Sequence, residues 1–409
     1  MLLSKDWILA VISIVRWLLR SLIAALLIPL SLSAQTAAPS PPRVFEINAG
    51  TLAQVKARGD RTILEQAIRD ADKAMKEQPH SVVEKKQTPP SGDRHDWYSQ
   101  AGYWWPDPKN PNGPYIRHDG VQNPEKGDFP DESNFNHTVR AAETLALAYY
   151  LTGNEKYAAH SALLLRTWFL TPATAMNPNL NFAQFVPNEN TGRPAGIVSA
   201  RQMPEAIDAV GLLAGSANWT PADDAGMKEW FTRYFRWLTT TEAGKEEAGH
   251  PNNHGSWCQN QVATIALFLG KTDEARKTLE YVRDVRIPEE IDEQGLQKYE
   301  MARTKSFSYS AMNLHALATL ATVAEPLGMD LWQPAKPGAP GILTAIDALL
   351  PYDAQHPWPH QQIEAGREDS ICPALYLAVG HTHDIRYIDG LKRFACKTSA
   401  LDEIIALGN

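Results

Sequence analysis

Leu269-Gly270-Lys271-Thr272 separates two stretches of helical periodicity, residues 256–269 and 272–285. A glycine just past a helical pattern takes the left-handed conformation that stops a helix, and here a second pattern begins almost at once. The chain therefore doubles back as a helical hairpin. Thr152-Gly153-Asn154-Glu155 does the same between patterns at 138–152 and 155–169. Outward from these hairpins, helical spacing recurs at 200–213, 222–240, 309–327, 342–350, 372–379 and 384–395. Upstream it covers 52–76, where Leu52, Val55, Ile63, Leu64, Ala67 and Ile68 are available to one face. Strand signals are sparse. This many hairpins, without a clean sequence repeat, predict an all-α protein of antiparallel helix pairs stacked round an axis; a helical bundle is the plainer alternative.

The 409 residues are 44% hydrophobic, enough for a large buried core and unlike a disordered chain. Basic residues Lys5, Arg16 and Arg20 precede an apolar run over 21–32, broken by Pro29, and then Ser33-Ala34. That order is the layout of a secretory signal peptide. Residues 1–34 are expected to be removed, 35–43 to be a linker of Thr, Ala, Ser and Pro, and 44–409 to form one domain, periplasmic or secreted. An uncleaved anchor is the alternative, because apolar character begins at Trp7; after cleavage no membrane partner is expected. Losing three basic residues and one acid takes the net charge from -8 to -10. Net charge of that sign does not attract polyanions, so nucleic acid is not expected as a partner, and an acidic ligand needs a local cluster of cations in a cleft. Cys258, Cys372 and Cys396 are too few for a disulfide framework or a zinc site. An exported protein can still pair Cys372 with Cys396, although the sequence fixes neither their separation nor the oligomeric state.

Periodicity fails between about 79 and 131, a stretch crowded with Pro, Gly, Asp and aromatics, among them Tyr103-Trp104-Trp105-Pro106-Asp107-Pro108. A loop this long in a compact protein is functional or disordered, and the aromatics argue against disorder. Trp104 and Trp105 suit stacking on pyranose faces and equally suit packing anchors. Two later segments carry reactive groups. Asn252-Asn253-His254-Gly255-Ser256-Trp257 opens an apolar helix expected to begin near Ser256, which puts amides and an imidazole at the positive end of a helix dipole. Glu300-Met301-Ala302-Arg303-Thr304-Lys305-Ser306-Phe307-Ser308-Tyr309-Ser310 adds a guanidinium and a phenol. Elimination beside a uronate carboxylate needs these types, because the C5 proton stays weakly acidic until the C6 negative charge is offset by donors. Tyr309, with an ordinary pKa of about 10, needs a neighbouring cation such as Arg303 to act as a base; His254 is the other candidate. Taken singly the signals are weak: Asn-Asn-His also reads as a helix cap, Tyr309 as a packed aromatic and Arg303 as a surface residue.

Together the two segments resemble the alginate lyase superfamily, in which an Asn-Asn-His-x-x-Trp motif and a later Arg…Tyr pair form the catalytic centre. The resemblance spans roughly residues 97–358 and implies an incomplete (α/α) toroid. It also implies eliminative cleavage of an acidic polysaccharide, a 1,4-linked polyuronate of alginate or glucuronan type, with Asn253, His254, Arg303 and Tyr309 as catalytic residues. In the family a Phe-Asn-His region helps line the cleft, which makes Asn136, His137 and Arg140 candidates for substrate binding beside Trp104, Trp105 and the motif's Trp257. Arg193, Arg201 and Gln202 flank Gly196-Ile197, and a cleft-facing arginine pairs bidentately with a uronate, although Arg201 can instead bridge Glu205. Arg117 and His118 are further cations in the early loop. Gly255 stands where the best-known alginate lyases commonly carry Ser, and the 303–309 pattern looks closer to branches that include glucuronan lyases, so the polymer stays open.

Two other classes of function also stay open. Toroids of this kind host inverting glycoside hydrolases, for which Glu205 with Asp208, or Glu289-Glu290 with Asp292-Glu293, would supply two carboxyl groups. A non-catalytic polysaccharide binder would keep the Trp-rich loop and dispense with Asn253, His254 and Tyr309. The chain has no phosphate-binding Gly-rich loop, nucleophile elbow or His-Glu-x-x-His helix, so neither an organic cofactor nor a metal is expected.

Overall fold

Gly153 and Gly270 both take positive φ, 70° and 75°, and at each the chain turns from one helix into the next. A residue with a Cβ is strained in that conformation, which is why the hairpins carry glycine there. The computed structural model describes residues 41–408; the expected signal segment 1–34 and most of the 35–43 linker lie outside them. Helices Asp131–Thr152 and Glu155–Leu165 form the first of these hairpins, and Asn253–Phe268 and Thr272–Tyr281 the second. Asp131–Thr152 also packs on Arg61–Ala74 and Met203–Leu212, while Cys372–Thr382 packs on Ser306–Ala324, Ile385–Arg393 and Ala400–Leu407. The last helix returns to Arg61–Ala74, so the two ends of the described chain meet within an all-α toroid. Ala400 N–H donates to Asp70 there at 3.0 Å.

Local chemistry moved several boundaries. The periodicity over 52–76 is two helices, Ala49–Arg58 and Arg61–Ala74, because Asp60 caps the second by accepting from Thr62 and Ile63 N–H. Helices Glu242–Gly249 and Ala400–Leu407 went unread: one is mostly polar, the other a short C-terminal segment. The early loop holds short strands. Tyr98–Gln100 pairs in parallel with Phe182–Phe185, and Trp104–Trp105 pairs antiparallel with Ile116–Arg117. Strands of two to four residues carry no readable alternation, and the first finds its partner more than eighty residues away.

Two large apolar clusters fill most of the described interior, one from residues up to about 275 together with Ala400 and Ile404 of the last helix, the other from residues after about 263, meeting along the helix Asn253–Phe268. That helix and Ser306–Ala324 pack together and are buried on most sides. A polar network ties them. Arg286, 2% exposed, donates to the carbonyls of Ala248 and His250 at 2.9 Å and pairs with Glu290. Glu290 accepts from Ser256 at 3.4 Å and from Asn313 at 2.8 Å; Asn313 also donates to Gln297, whose amide donates to the Ser310 carbonyl. Near the C-terminus Cys372 and Cys396 form a disulfide with Cα atoms 5.6 Å apart, the pairing the sequence allowed.

Gly255 touches this network directly. A Cβ built there would collide with the His250 carbonyl oxygen and the Arg286 guanidinium, so the glycine is required by the close approach of Arg286. Gly255→Ala is expected to destabilise the fold by roughly 1–3 kcal/mol, the usual cost of overpacking a dense site. Chemical denaturation checks it: the midpoint falls while the m-value is unchanged.

Candidate active site

The two central helices both begin at one cleft. The first starts at Asn253, not near Ser256, and its leading amides are already bonded: Asn252 accepts from His254 N–H at 3.1 Å, and Glu300 accepts from Asn253 N–H at 2.6 Å. Those N–H groups are therefore engaged within the protein, and the positive end of the helix does not present them to the cleft. Asn253 Nδ2 also donates to both oxygens of Glu300, at 2.9 and 3.1 Å, which leaves its buried Oδ1 without a partner among the described residues. Burial in this apolar setting raises Glu300 to about 7, against the donors from Asn253 and the charge of Arg303.

His254 is fixed from behind. Its Nδ1 lies 2.7 Å from Glu247 Oε1, whose side chain has no exposure. A carboxylate only accepts, so Nδ1 carries a proton, and in the neutral imidazole the lone pair is on Nε2. Glu247 comes from the helix Glu242–Gly249, which packs against the helix that bears His254.

Tyr309 sits in the first turn of Ser306–Ala324, whose start is pinned by Trp358 Nε1–H donating to Ser306 Oγ at 2.8 Å. Its hydroxyl donates to the Tyr103 hydroxyl at 2.8 Å, and the Arg303 guanidinium lies 3.7 Å from its ring centroid. Arg303 thus stacks on the ring. Burial pushes the Tyr309 phenol well above its ordinary value, and the opposing pull of Arg303 does not overcome it. The expectation that a cation would bring this pKa down is corrected: desolvation wins. Asp119 holds Arg303 by Nη2 at 2.7 Å, accepts from Thr304 N–H at 3.1 Å and from Arg117 at 2.6 Å. Partial burial alone would raise Asp119, but the hydrogen bonds from Arg303 and Thr304 hold its carboxyl well below the usual range.

Asn253, His254, Arg303 and Tyr309 all line one cavity of about 510 Å³, with Tyr103, Trp104, Arg193 and Arg201 among its other walls. Five basic residues line it (Arg117, Lys126, Arg193, Arg201, Arg303) against two acids (Glu132, Glu246), so a chain of net charge -8 presents a cationic cleft. A second cavity of about 420 Å³ shares Tyr103, Arg201, Tyr309 and Met312 with the first and extends past Arg140, Gln202, Glu205 and Trp257.

Of the residues expected at substrate, Trp104 and Arg201 line the first cavity, and Arg140, Arg201, Gln202 and Trp257 the second. Arg193 stacks over Trp104 at 5.5 Å and keeps a buried Nε without a partner among the described residues. Trp105, Asn136 and His137 line neither cavity; the Trp105 indole donates to the Val121 carbonyl at 2.9 Å. The carboxyl pairs considered for hydrolysis are largely engaged elsewhere. Asp208 accepts from Phe45 and Glu46 N–H, Glu290 pairs with Arg286, and Asp292 caps a turn through Gln294 and Leu296 N–H. Glu205 lines the second cavity, and burial raises it to about 7.

The sequence reading missed Tyr103, Asp119, Glu247 and Glu300 as partners of the reactive groups. Glu300 was visible three residues before Arg303, but no local signal links a lone acid to an amide 47 positions away. Asp119→Asn is expected to lower stability at pH 6. The sign follows from the depressed folded pKa: the carboxylate's contribution is complete above its unfolded value of about 3.9 and is lost as the pH falls through the folded one. Urea midpoints at pH 6 and pH 3 check this, the gap to wild type shrinking at the lower pH.

Comparison with known proteins agrees with this architecture. A sequence model of the family described as alginate lyase matches residues 81–358. The crystal structure of an alginate lyase from Bacteroides ovatus is 35% identical, with 89% of this chain and 99% of that chain covered and a TM-score of 0.83. Alginate lyase A1-III in its apo form shares the fold at 18% identity, over 84% of this chain and 89% of that one, with a TM-score of 0.50. No curated protein matches. An all-α toroid, a cationic cleft at the starts of its two central helices, and a family match over most of the chain place it in the alginate lyase family, the polysaccharide lyases that are carbon-oxygen lyases.

Proposed function

We propose that this lyase cleaves a 1,4-linked polyuronate of alginate or glucuronan type by β-elimination. One observation carries the reading: an amide, an imidazole, a guanidinium and a phenol line a single cationic cavity. The uronate carboxylate is drawn in by the excess of arginine and lysine, and offsetting its charge makes the C5 proton removable. His254 Nε2, left as an acceptor by the bond from Nδ1 to Glu247, takes the C5 proton. The electron pair forms the C4–C5 double bond as the C4–O4 bond breaks. Tyr309, kept as a neutral phenol by burial, gives its proton to the departing O4. Arg303 acts on Tyr309 through the ring it stacks on, and Asp119 keeps it there.

Export to the periplasm or beyond belongs to the same proposal. The signal-like start of the chain and the Cys372–Cys396 disulfide, a bond that persists in oxidising compartments, support it.

Four measurements test the function. Product absorbance in the ultraviolet separates elimination from hydrolysis, since only elimination makes a conjugated double bond; a panel of polymannuronate, polyguluronate and glucuronan identifies the polymer. Tyr309→Phe is expected to cut kcat by about 100-fold or more with little change in substrate affinity. Unchanged turnover removes Tyr309 from the mechanism. Glu247→Gln is expected to lower kcat by about 100- to 10,000-fold at unchanged fold, by analogy with the loss of a carboxylate that sets a histidine tautomer; retained activity rules out His254 as the base.

A further inference from the structure

Asn253 faces the cavity in an orientation that contradicts its task. With Nδ2 given to both Glu300 oxygens, the atom left over is Oδ1, an acceptor, and a uronate carboxylate offers only acceptors. Two acceptors brought together in a buried site repel. The amide's oxygen and nitrogen are nearly isosteric, so the side chain can exchange them in place without displacing a neighbour. What forbids the exchange is Glu300, which as a carboxylate has no hydrogen to give Oδ1.

Resting on the eliminative reading above, we propose that Glu300 is a positioning residue that works as a carboxylic acid. In the productive state one carboxyl oxygen keeps the Asn253 backbone N–H, the other donates its hydrogen to Asn253 Oδ1, and the Asn253 NH2 is turned to the substrate carboxylate. The proton on Glu300 comes from solvent and is not consumed, because elimination moves the C5 proton by other groups. Every buried polar atom of the pair is then satisfied, including the Oδ1 that is an orphan when Glu300 is ionised. The charged and titratable groups acting on Glu300 are Arg303, which favours ionisation, and Glu290, which opposes it; burial outweighs both and sets it at about 7. An arriving uronate adds a second negative charge and favours the acid further.

The test compares the pH dependence of kcat/KM in wild type, Glu300→Gln and Glu300→Ala. Glutamine copies the acid: its Oε1 accepts from the Asn253 N–H and its NH2 donates to Oδ1 at every pH. Wild-type kcat/KM is expected to fall about tenfold per pH unit above neutrality. Glu300→Gln loses that decline, and Glu300→Ala is lower by about 100-fold throughout, as for a lost preorganised donor. A glutamine variant as inactive as the alanine one, or one that keeps the wild-type alkaline limb, overturns the proposal. Should Glu300→Gln not fold, calorimetry of trimannuronate binding to Tyr309→Phe at pH 8, in buffers of different ionisation enthalpy, decides it. Uptake of close to one proton supports the inference and zero uptake sinks it. Ultraviolet absorbance of wild-type products at pH 6 reports elimination independently, so its absence refutes the parent reading and not this one.

Discussion

The ion pair of Arg286 with Glu290 is buried, and the two central helices are organised around it. An unpaired charge at such depth costs several kcal/mol, so the two partners hold each other and draw further bonds from both central helices. Arg286 spends its donors on the Ala248 and His250 carbonyls, which fixes the turn leading into Asn253 and His254. Glu290 spends its acceptors on Ser256 and Asn313, one from each central helix. The starts of the two helices are thereby held in register, and with them the amide, the imidazole and the phenol. Gly255 is the steric counterpart of this arrangement, since the guanidinium occupies the space a side chain would need.

Around that anchor each reactive group has a partner that decides what it can do. Glu247 orients His254, Glu300 grips Asn253, Tyr103 accepts from Tyr309, and Asp119 holds Arg303 against the Tyr309 ring. Burial acts on these groups in one direction, against charge. It keeps the Tyr309 phenol protonated and lifts Glu300 to about 7, while the arginines of the cleft supply the attraction for an anion. To an acidic polysaccharide the cleft offers cations at its walls and hydrogen-bonding groups between them.

The cleft extends beyond these groups. The two cavities share Tyr103, Arg201, Tyr309 and Met312 as walls, so Tyr309 lines both. Trp104 and Arg193, stacked together, form one wall of the first; Trp257 lies edge-on to His315 in the second, ring centroids 5.0 Å apart. Two neighbouring cavities with aromatic and cationic walls suit a polymer better than a small molecule.

By itself the sequence determined the helical hairpins, because apolar spacing and helix-stopping glycines are local properties of the chain, and it determined which reactive side chains were available. It placed Asn253, His254, Arg303 and Tyr309 as candidates through two short segments, and all four line the cavity. Trp105, Asn136 and His137 had the right chemistry in the right neighbourhood yet line neither cavity, since composition carries no information on which way a loop or helix face turns. Tertiary structure alone decided protonation and hydrogen-bond direction. Asp119 reaches Arg303 across 184 residues and Tyr103 reaches Tyr309 across 206, and no periodicity encodes such pairings. Whether Asn253 shows a donor or an acceptor, and whether Tyr309 holds its proton, depends on desolvation and on a partner's geometry, quantities that exist only once the chain has folded.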